Sequence, residues 1–382
     1  KTDAQRGWAI SQGSRSVIVA VIDTGCDVRH EDLEANMWKN PGETGVDANG
    51  KSKESNGVDD DNNGYVDDLY GWNFVSNNSD VTDNHGHGTH IAGIIGAVGG
   101  NGKGISGISP KVSMMTLKYF DPKVPGTDNL KNTVRSIKYA IKMKANIINY
   151  SGGGADFSKE ERDAIEEARN NGILFVAAAG NEWSNSDTKR YYPADYGLAN
   201  IISVTAIDPK TEVLSSSNYG VLTVDIAAPG QNILSTLPKN TYGYLTGTSQ
   251  ATAFVTGAAA VVTAHKNFPG FIEVKKFILA TGDSFTSLLE KTATTRRLNL
   301  FKSLVIRDSG ETATGVKAVN DSQIKAVINE KGTPNLSSDP NSVFDSARDA
   351  SNLGQTVLDA IEQSDKSERL DKADKEEKKK KK

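Results

Sequence analysis

Cysteine is almost absent, Cys26 being the single one in 382 residues. An intramolecular disulfide is therefore impossible, and cysteine usage assigns no redox compartment. Long apolar runs are missing too. None approaches the roughly 18 residues that a membrane-spanning helix needs, so a soluble chain without a transmembrane segment is expected. Basic charge is not in surplus: 44 Lys and Arg stand against 48 Asp and Glu, a formal net charge of −4. Such a body lacks the basic surface that holds phosphate backbones, and no nucleic-acid partner is expected. There is no internal repeat. The first residue is Lys1 rather than Met, from which we expect either that a signal peptide or pro-segment has been removed or that the chain was cut there.

What is present suffices for a large core. With 37% hydrophobic and 24% charged residues, the chain accommodates an α/β core of about 250 to 300 residues plus an appendage. The run SVIVAVID at 16–23 is apolar and β-branched, as a parallel strand covered on both faces should be, and it stops at the turn residues Thr24 and Gly25. Further strands are expected at 112–119, 145–150, 173–179, 201–207 and 224–228. Helical patterns lie between several of them, at 129–144, 158–170 and 249–265. This alternation predicts a doubly wound α/β fold, a mostly parallel central sheet with helices on both faces, whose sites gather beyond the carboxyl ends of the strands. Residues 40–84, rich in Gly, Asn and Asp, are expected to form a long surface excursion. From residue 307 the composition turns to Ser, Asp, Lys, Asn and Ala. We expect 1–306 to be the folded domain and 307–382 a polar, charged extension of linker, isolated helices or disorder.

Hydrolysing an amide near neutral pH needs a nucleophile, a base, a group that orients the base, and donors aimed at the oxyanion. Candidates for all four are present. Asp23 ends a strand in VIDTG, His87 lies in HGHGTHIAG where small residues lead into a helix, and Ser249 opens the small-residue helix of GTSQATAFVTGAAA. Each has a plainer use, Asp23 as a turn residue and Ser249 as a helix cap. A serine at a helix N-terminus also meets the positive end of the dipole, which favours developing negative charge.

Together and in this order, VIDTG, HGHGTHIAG, AAAGN and GTSQATAFVTGAAA resemble the signature blocks of the subtilisin-like serine proteases, over about residues 5–300. The resemblance implies a serine endopeptidase of broad specificity, made as a zymogen, secreted or attached to the cell envelope, that forms an acyl-enzyme intermediate. It assigns Asp23 to orienting the imidazole, His87 to general base and acid, Ser249 to the nucleophile, and Asn181 of AAAGN to the oxyanion hole with the Ser249 N–H. It also implies that Ser151, Gly152 and Gly153 pair with an extended peptide, with Lys118 and Phe120 on the strand opposite. Tyr191 stands where the family often has a glycine at the floor of the primary pocket, which implies preference for a small P1 side chain. Gln250 replaces a usual methionine, and Ala253 and Phe254 replace a Pro-His pair. Partners implied are extended protein or peptide substrates and the chain's own propeptide as inhibitor.

Calcium is the expected cofactor. Asp59, Asp61, Asn63 and Asp67 in DDDNNGYVDD set oxygen ligands at alternate positions around Gly64, like the first half of an EF-hand loop. The closing glutamate is missing, so a single-loop site and a solvated acidic turn both remain open. The resemblance implies a second site at Asp32 and Asn101. His85, His87 and His90 could instead hold zinc, but no His-Glu-x-x-His pattern supports a metallohydrolase, and His90 is expected to pack in a helix. Cys26 is expected to be buried. A lipase is disfavoured because no Gly-x-Ser-x-Gly elbow surrounds Ser249. An inactive protease fold serving as a binding module is the alternative from another class.

Overall fold

The computed structural model describes residues 2–124, 128–268 and 270–306. The expected extension at 307–382 lies outside them. In chain order the elements are α1 (Ala4–Trp8), β1 (Gly13–Asp23), β2 (Gly71–Asn73), α2 (His87–Gly96), β3 (Lys111–Lys118), α3 (Asn129–Lys142), β4 (Ile147–Tyr150), α4 (Lys159–Asn170) and β5 (Leu174–Ala178). Then follow β6 (Ile201–Ile207), β7 (Ile226–Pro229), β8 (Ile233–Leu237), β9 (Thr241–Leu245), α5 (Thr248–His265), α6 (Phe271–Ala280), β10 (Asp283–Ser284), β11 (Arg296–Arg297) and α7 (Leu300–Val305).

The β-branched run of β1 is buried because both faces of its strand are covered. Val17, Val19 and Val21 pack on the side of α2, α5 and α6, while Ala20 and Ile22 pack on the side of α3 and α4. That is the two-residue side-chain period of a strand at the centre of a three-layer sandwich. Among the described residues the sheet runs β10-β11-β7-β6-β5-β4-β1-β3-β2, parallel throughout except at the β10–β11 edge. β1 has β3 on one side and β4 on the other. The winding reverses there, and in open α/β sheets such a reversal leaves a crevice at the strands' carboxyl ends. Asp23 stands at that end of β1. The doubly wound, mostly parallel expectation is met, with strand bounds shifted by a residue or a few.

Two elements depart from the expectation. β8 and β9 form a separate antiparallel hairpin, which the sequence reading left unassigned. The excursion at 40–84 is not all surface. Leu69, Trp72 and Phe74 are buried, and β2 returns to the sheet as an edge strand beside β3. The segment is poor in apolar residues, but the few it has are large: Tyr65 packs edge-on against Trp72 and Tyr139. Area buried per residue compensates for low apolar content.

Candidate active site

Asp23 is held where β1 ends. Its Oδ1 accepts from the Thr24 N–H at 2.8 Å and lies 2.7 Å from His87 Nδ1. His87 opens α2, whose first turn is organised by a residue not singled out in the sequence, Asp83. One Asp83 oxygen accepts from the Gly86 N–H at 2.8 Å and the Thr24 hydroxyl at 2.9 Å, and the other accepts from the Thr89 N–H at 2.9 Å. The Thr89 N–H is one of the donors a helix start leaves without partners. An Asp shortly before an apolar helix is a capping signal that could have found it. Gly88 allows α2 to close on β1, since a Cβ there would stand 2.1 Å from the Gly25 carbonyl oxygen.

The His87 side chain is 24% exposed and that of Asp23 only 4%, so a ligand can reach the imidazole but not the carboxylate. Burial by itself pushes the imidazole down. The charge and hydrogen bond of Asp23, with Asp83 adding, outweigh it and raise His87 above its ordinary value.

Ser249 lies in the first turn of α5, an apolar helix buried almost all round. Thr256 of α5 donates to the buried Asn149 Oδ1 at 2.7 Å, tying the helix to β4. The Ser249 hydroxyl donates to the Ser151 carbonyl at 3.1 Å, and among the described residues no hydrogen bond joins it to His87. Asn181 follows β5 and is exposed. Its Oδ1 accepts from the Thr248 N–H at 3.0 Å, which turns Nδ2 outward with no partner among the described residues. The structure thus makes the Asp23–His87 pair and the Asn181–α5 link directly, while Ser249 rests on Ser151.

Gly152 and Gly153 make no backbone hydrogen bond within the described residues, whereas Gly154 exchanges two with Tyr192, at 2.9 and 2.7 Å. A short free edge is left beside Ser249. Tyr191 fills the space behind it. A Cβ on Gly153 would meet the Tyr191 ring at 2.5 Å, and one on Gly180 would meet it at 2.9 Å, so the ring lies between the two segments. Burial, then the nearby Glu182 charge, pushes its phenol up to about 12. Phe120 is half-buried against Tyr119. The side chain of Lys118 is buried, donating to the Thr82 carbonyl at 2.7 Å and pairing with Asp121 at 2.9 Å. A lysine on an interior strand end needs an internal partner, and this one has it.

The acidic loop also differs from its expectation. Glu43, Asp59 and Asp61 bring one carboxylate oxygen each within 4.8 Å of one another. Asp67 instead accepts from the Gly57 N–H at 3.0 Å, and Asn63 turns its carbonyl oxygen to the Tyr65 N–H at 2.7 Å while its amide group donates to Asp61 and Asp68. Asp67 and Asn63 thus have other hydrogen bonds in this structure, and Glu43, not expected from the sequence, joins Asp59 and Asp61. Glu43 is fully buried with Oε2 unpartnered. Burial first, then Asp68, Asp60 and Asp61, raises its carboxyl to about 7, against a hydrogen bond from the Asp60 N–H. An orphaned buried carboxylate oxygen among other carboxylates fits a hard cation.

Asp32 and Asn101 are brought together, and their polar atoms are engaged by the protein. Asp32 accepts from Asn101 Nδ2 at 2.7 Å, the Ile105 N–H at 2.9 Å and the Tyr242 hydroxyl at 2.9 Å, and Asn101 Oδ1 faces the Lys103 N–H at 3.0 Å. Protein donors surround this carboxylate, and the pair stays together as the resemblance implies.

His90 Nε2 lies between the Ile233 and Gly243 carbonyl oxygens at 3.0 and 3.2 Å, clamping α2 to the β8–β9 hairpin. Burial lowers its imidazole to about 4. A three-histidine zinc centre is not formed. Cys26 is buried, and burial, with Asp83, Asp27 and Asp23 adding, raises its thiol well above the ordinary value.

An α/β sheet with a carboxylate–imidazole pair at its switch point and a serine at a helix N-terminus is a layout that serine hydrolases use. The chain belongs to the subtilase family, whose model matches residues 14–323. It is 33% identical over 287 residues to the "Major intracellular serine protease" of Bacillus subtilis, covering 75% of this chain and 78% of that protein. It is 35% identical over 265 residues to "Thermitase" of Thermoactinomyces vulgaris, covering 69% of this chain and 81% of that one. "Subtilisin-like protease 2" of Plasmodium falciparum is 33% identical over 297 residues, 77% of this chain but only 20% of that longer protein. The chain thus spans about a fifth of the Plasmodium relative and about four fifths of the two bacterial ones. Among the described residues no helix is long and apolar enough to cross a membrane.

Proposed function

We propose that this chain is an endopeptidase of broad specificity in which Asp23 orients His87, His87 takes the proton of Ser249, and Ser249 attacks the scissile carbonyl. The observation that carries this reading is the 2.7 Å bond between the barely exposed Asp23 carboxylate and the reachable His87 ring. For attack, the Ser249 hydroxyl turns from the Ser151 carbonyl to His87 Nε2, a rotation about its single χ1 bond. Hydrogen bonds of a resting site commonly tighten only around substrate. The oxyanion then meets Asn181 Nδ2 and the Ser249 N–H, His87 returns the proton to the leaving amine, and water releases the acyl group. The substrate runs extended along Ser151, Gly152 and Gly153, with Phe120 opposite. Tyr191 shortens the primary pocket, so glycine, alanine or serine is favoured at P1 over large aromatics.

Glu43, Asp59 and Asp61 hold calcium, which neutralises the loop without touching the reaction. A carboxylate site of this kind suits the calcium concentrations outside cells, so the enzyme acts in secreted or envelope-associated form, after release from its inhibitory propeptide. One relative is named as intracellular, and fractionation of the source cells decides between the two locations.

The deciding experiment labels wild type and Ser249→Ala with a fluorophosphonate probe and follows casein hydrolysis in calcium. Labelling and hydrolysis in the wild type, both lost in the variant, is the expected result. A folded wild type that shows neither leaves an inactive protease fold used as a binding module, an outcome in keeping with a hydroxyl that rests on Ser151.

A further inference from the structure

His85 is exposed and stands two residues before His87, with the ring centroids 6.3 Å apart and the planes at 63°. Its ring makes no hydrogen bond within the described residues. His87 has Nδ1 committed to Asp23, which leaves Nε2 as its one free nitrogen. A carboxylate on the far nitrogen is also the arrangement that fixes the tautomer and raises the basicity of metal-bound histidines.

We infer that His85 and His87 together form an inhibitory site for a borderline divalent cation of the zinc class. Zinc holds imidazole nitrogens at about 2.0 to 2.1 Å in tetrahedral geometry, which puts two ring centroids about 5 Å apart. The observed 6.3 Å leaves about 1 Å for the exposed His85 side chain to close, with water in the remaining positions. The third imidazole does not join: among the described residues only Glu43, Asp59 and Asp61 bring three such ligand atoms within 4.8 Å of one another, and His90 lies buried with Nε2 on two carbonyl oxygens. Imidazole favours copper and zinc over calcium and magnesium, so this site and the carboxylates of Glu43, Asp59 and Asp61 take different ions. A cation on His87 Nε2 occupies the position that must receive the serine proton. The inhibition therefore rests on His87 being the base, whereas the binding does not.

Two readouts separate those claims, both in excess calcium to fill the carboxylates. Zinc is titrated calorimetrically into Ser249→Ala, which cannot digest itself, and into the same protein carrying His85→Ala or His85→Gln. Zinc inhibition of peptide hydrolysis is measured in wild type, His85→Ala and His85→Gln. We expect one zinc per chain, lost with either His85 substitution. Reversible inhibition should need at least about tenfold more zinc in both His85 variants, with zinc-free activity unchanged. No zinc binding, or equal inhibition with and without His85, overturns the site. Zinc binding that depends on His85 in a wild type without any hydrolytic activity supports the site and removes the protease reading.

Discussion

The cleft and the acidic loop each bury a carboxylate, and they treat it in opposite ways. Asp23 accepts from the Thr24 N–H and faces an imidazole 2.7 Å away. Glu43 accepts from one N–H, has Oε2 unpartnered, and is ringed by Asp60, Asp61 and Asp68. One charge is balanced by the chain's own groups and the other is not. Because unpaired buried charge is costly, the first region is complete as folded, while the second must take up a proton or a cation.

The largest effects should come from breaking the balanced pair. Asp23→Asn keeps the shape but removes the charge, so kcat should fall about ten-thousand-fold, the scale known for this substitution in such triads. The acid limb of kcat/KM, which needs neutral His87, should move to lower pH, because the carboxylate is what raises the imidazole. An unmoved limb would show that Asp23 does not govern that proton. Asn181→Ala should cost about a hundredfold to a thousandfold in kcat with KM nearly unchanged; the scale comes from subtilisin, a relative, rather than from this chain. A change confined to KM would make Asn181 a binding residue only.

The unbalanced region should respond to ions instead. At calcium 100-fold above its dissociation constant, linkage supplies about 2.7 kcal/mol, read as a melting temperature several degrees higher in calcium than in chelator. Glu43→Gln should abolish most of that difference. In chelator the sign with pH is fixed by the raised carboxyl. The folded state keeps the Glu43 proton that the unfolded chain releases at 4.5, so stability declines as pH rises from 4.5 through about 7. Calcium should remove that decline. A melting temperature indifferent to calcium would sink the loop site and leave the cleft untouched.

The smallest effect expected concerns pocket depth. Tyr191→Gly should improve cleavage after phenylalanine relative to alanine by about 10- to 200-fold, the span a hydrophobic pocket offers. An unchanged ratio in paired peptides would place the pocket elsewhere.

The cleft was more legible in the sequence than the loop, for a physical reason. Asp23, His87 and Ser249 each sit at the end of a regular element, and a strand or helix end is announced locally by Thr24-Gly25, by Gly86 and by Gly247-Thr248. The loop has no such period. Glu43 and Asp59 lie sixteen positions apart and meet only because Asn40, Asp68 and Tyr139 tie the segment together. What the sequence could not show is which N–H groups these oxygens meet: Asp67 accepts from Gly57 and Asp32 from Ile105. The hairpin β8–β9 went unseen because its docking depends on His30 and His90, two buried rings in distant segments.

By itself, then, the sequence determined the strand-and-helix alternation, the place of Asp23 at a strand's carboxyl end and the residue types of the reaction, since each depends on local periodicity or on a short motif. Tertiary structure alone decided that Glu43 joins Asp59 and Asp61, that Tyr191 lies between Gly153 and Gly180, that Lys118 turns inward to Asp121, and that His85 remains free beside His87. Those outcomes depend on which distant backbone donors and rings arrive first at each side chain, and no local pattern carries that information.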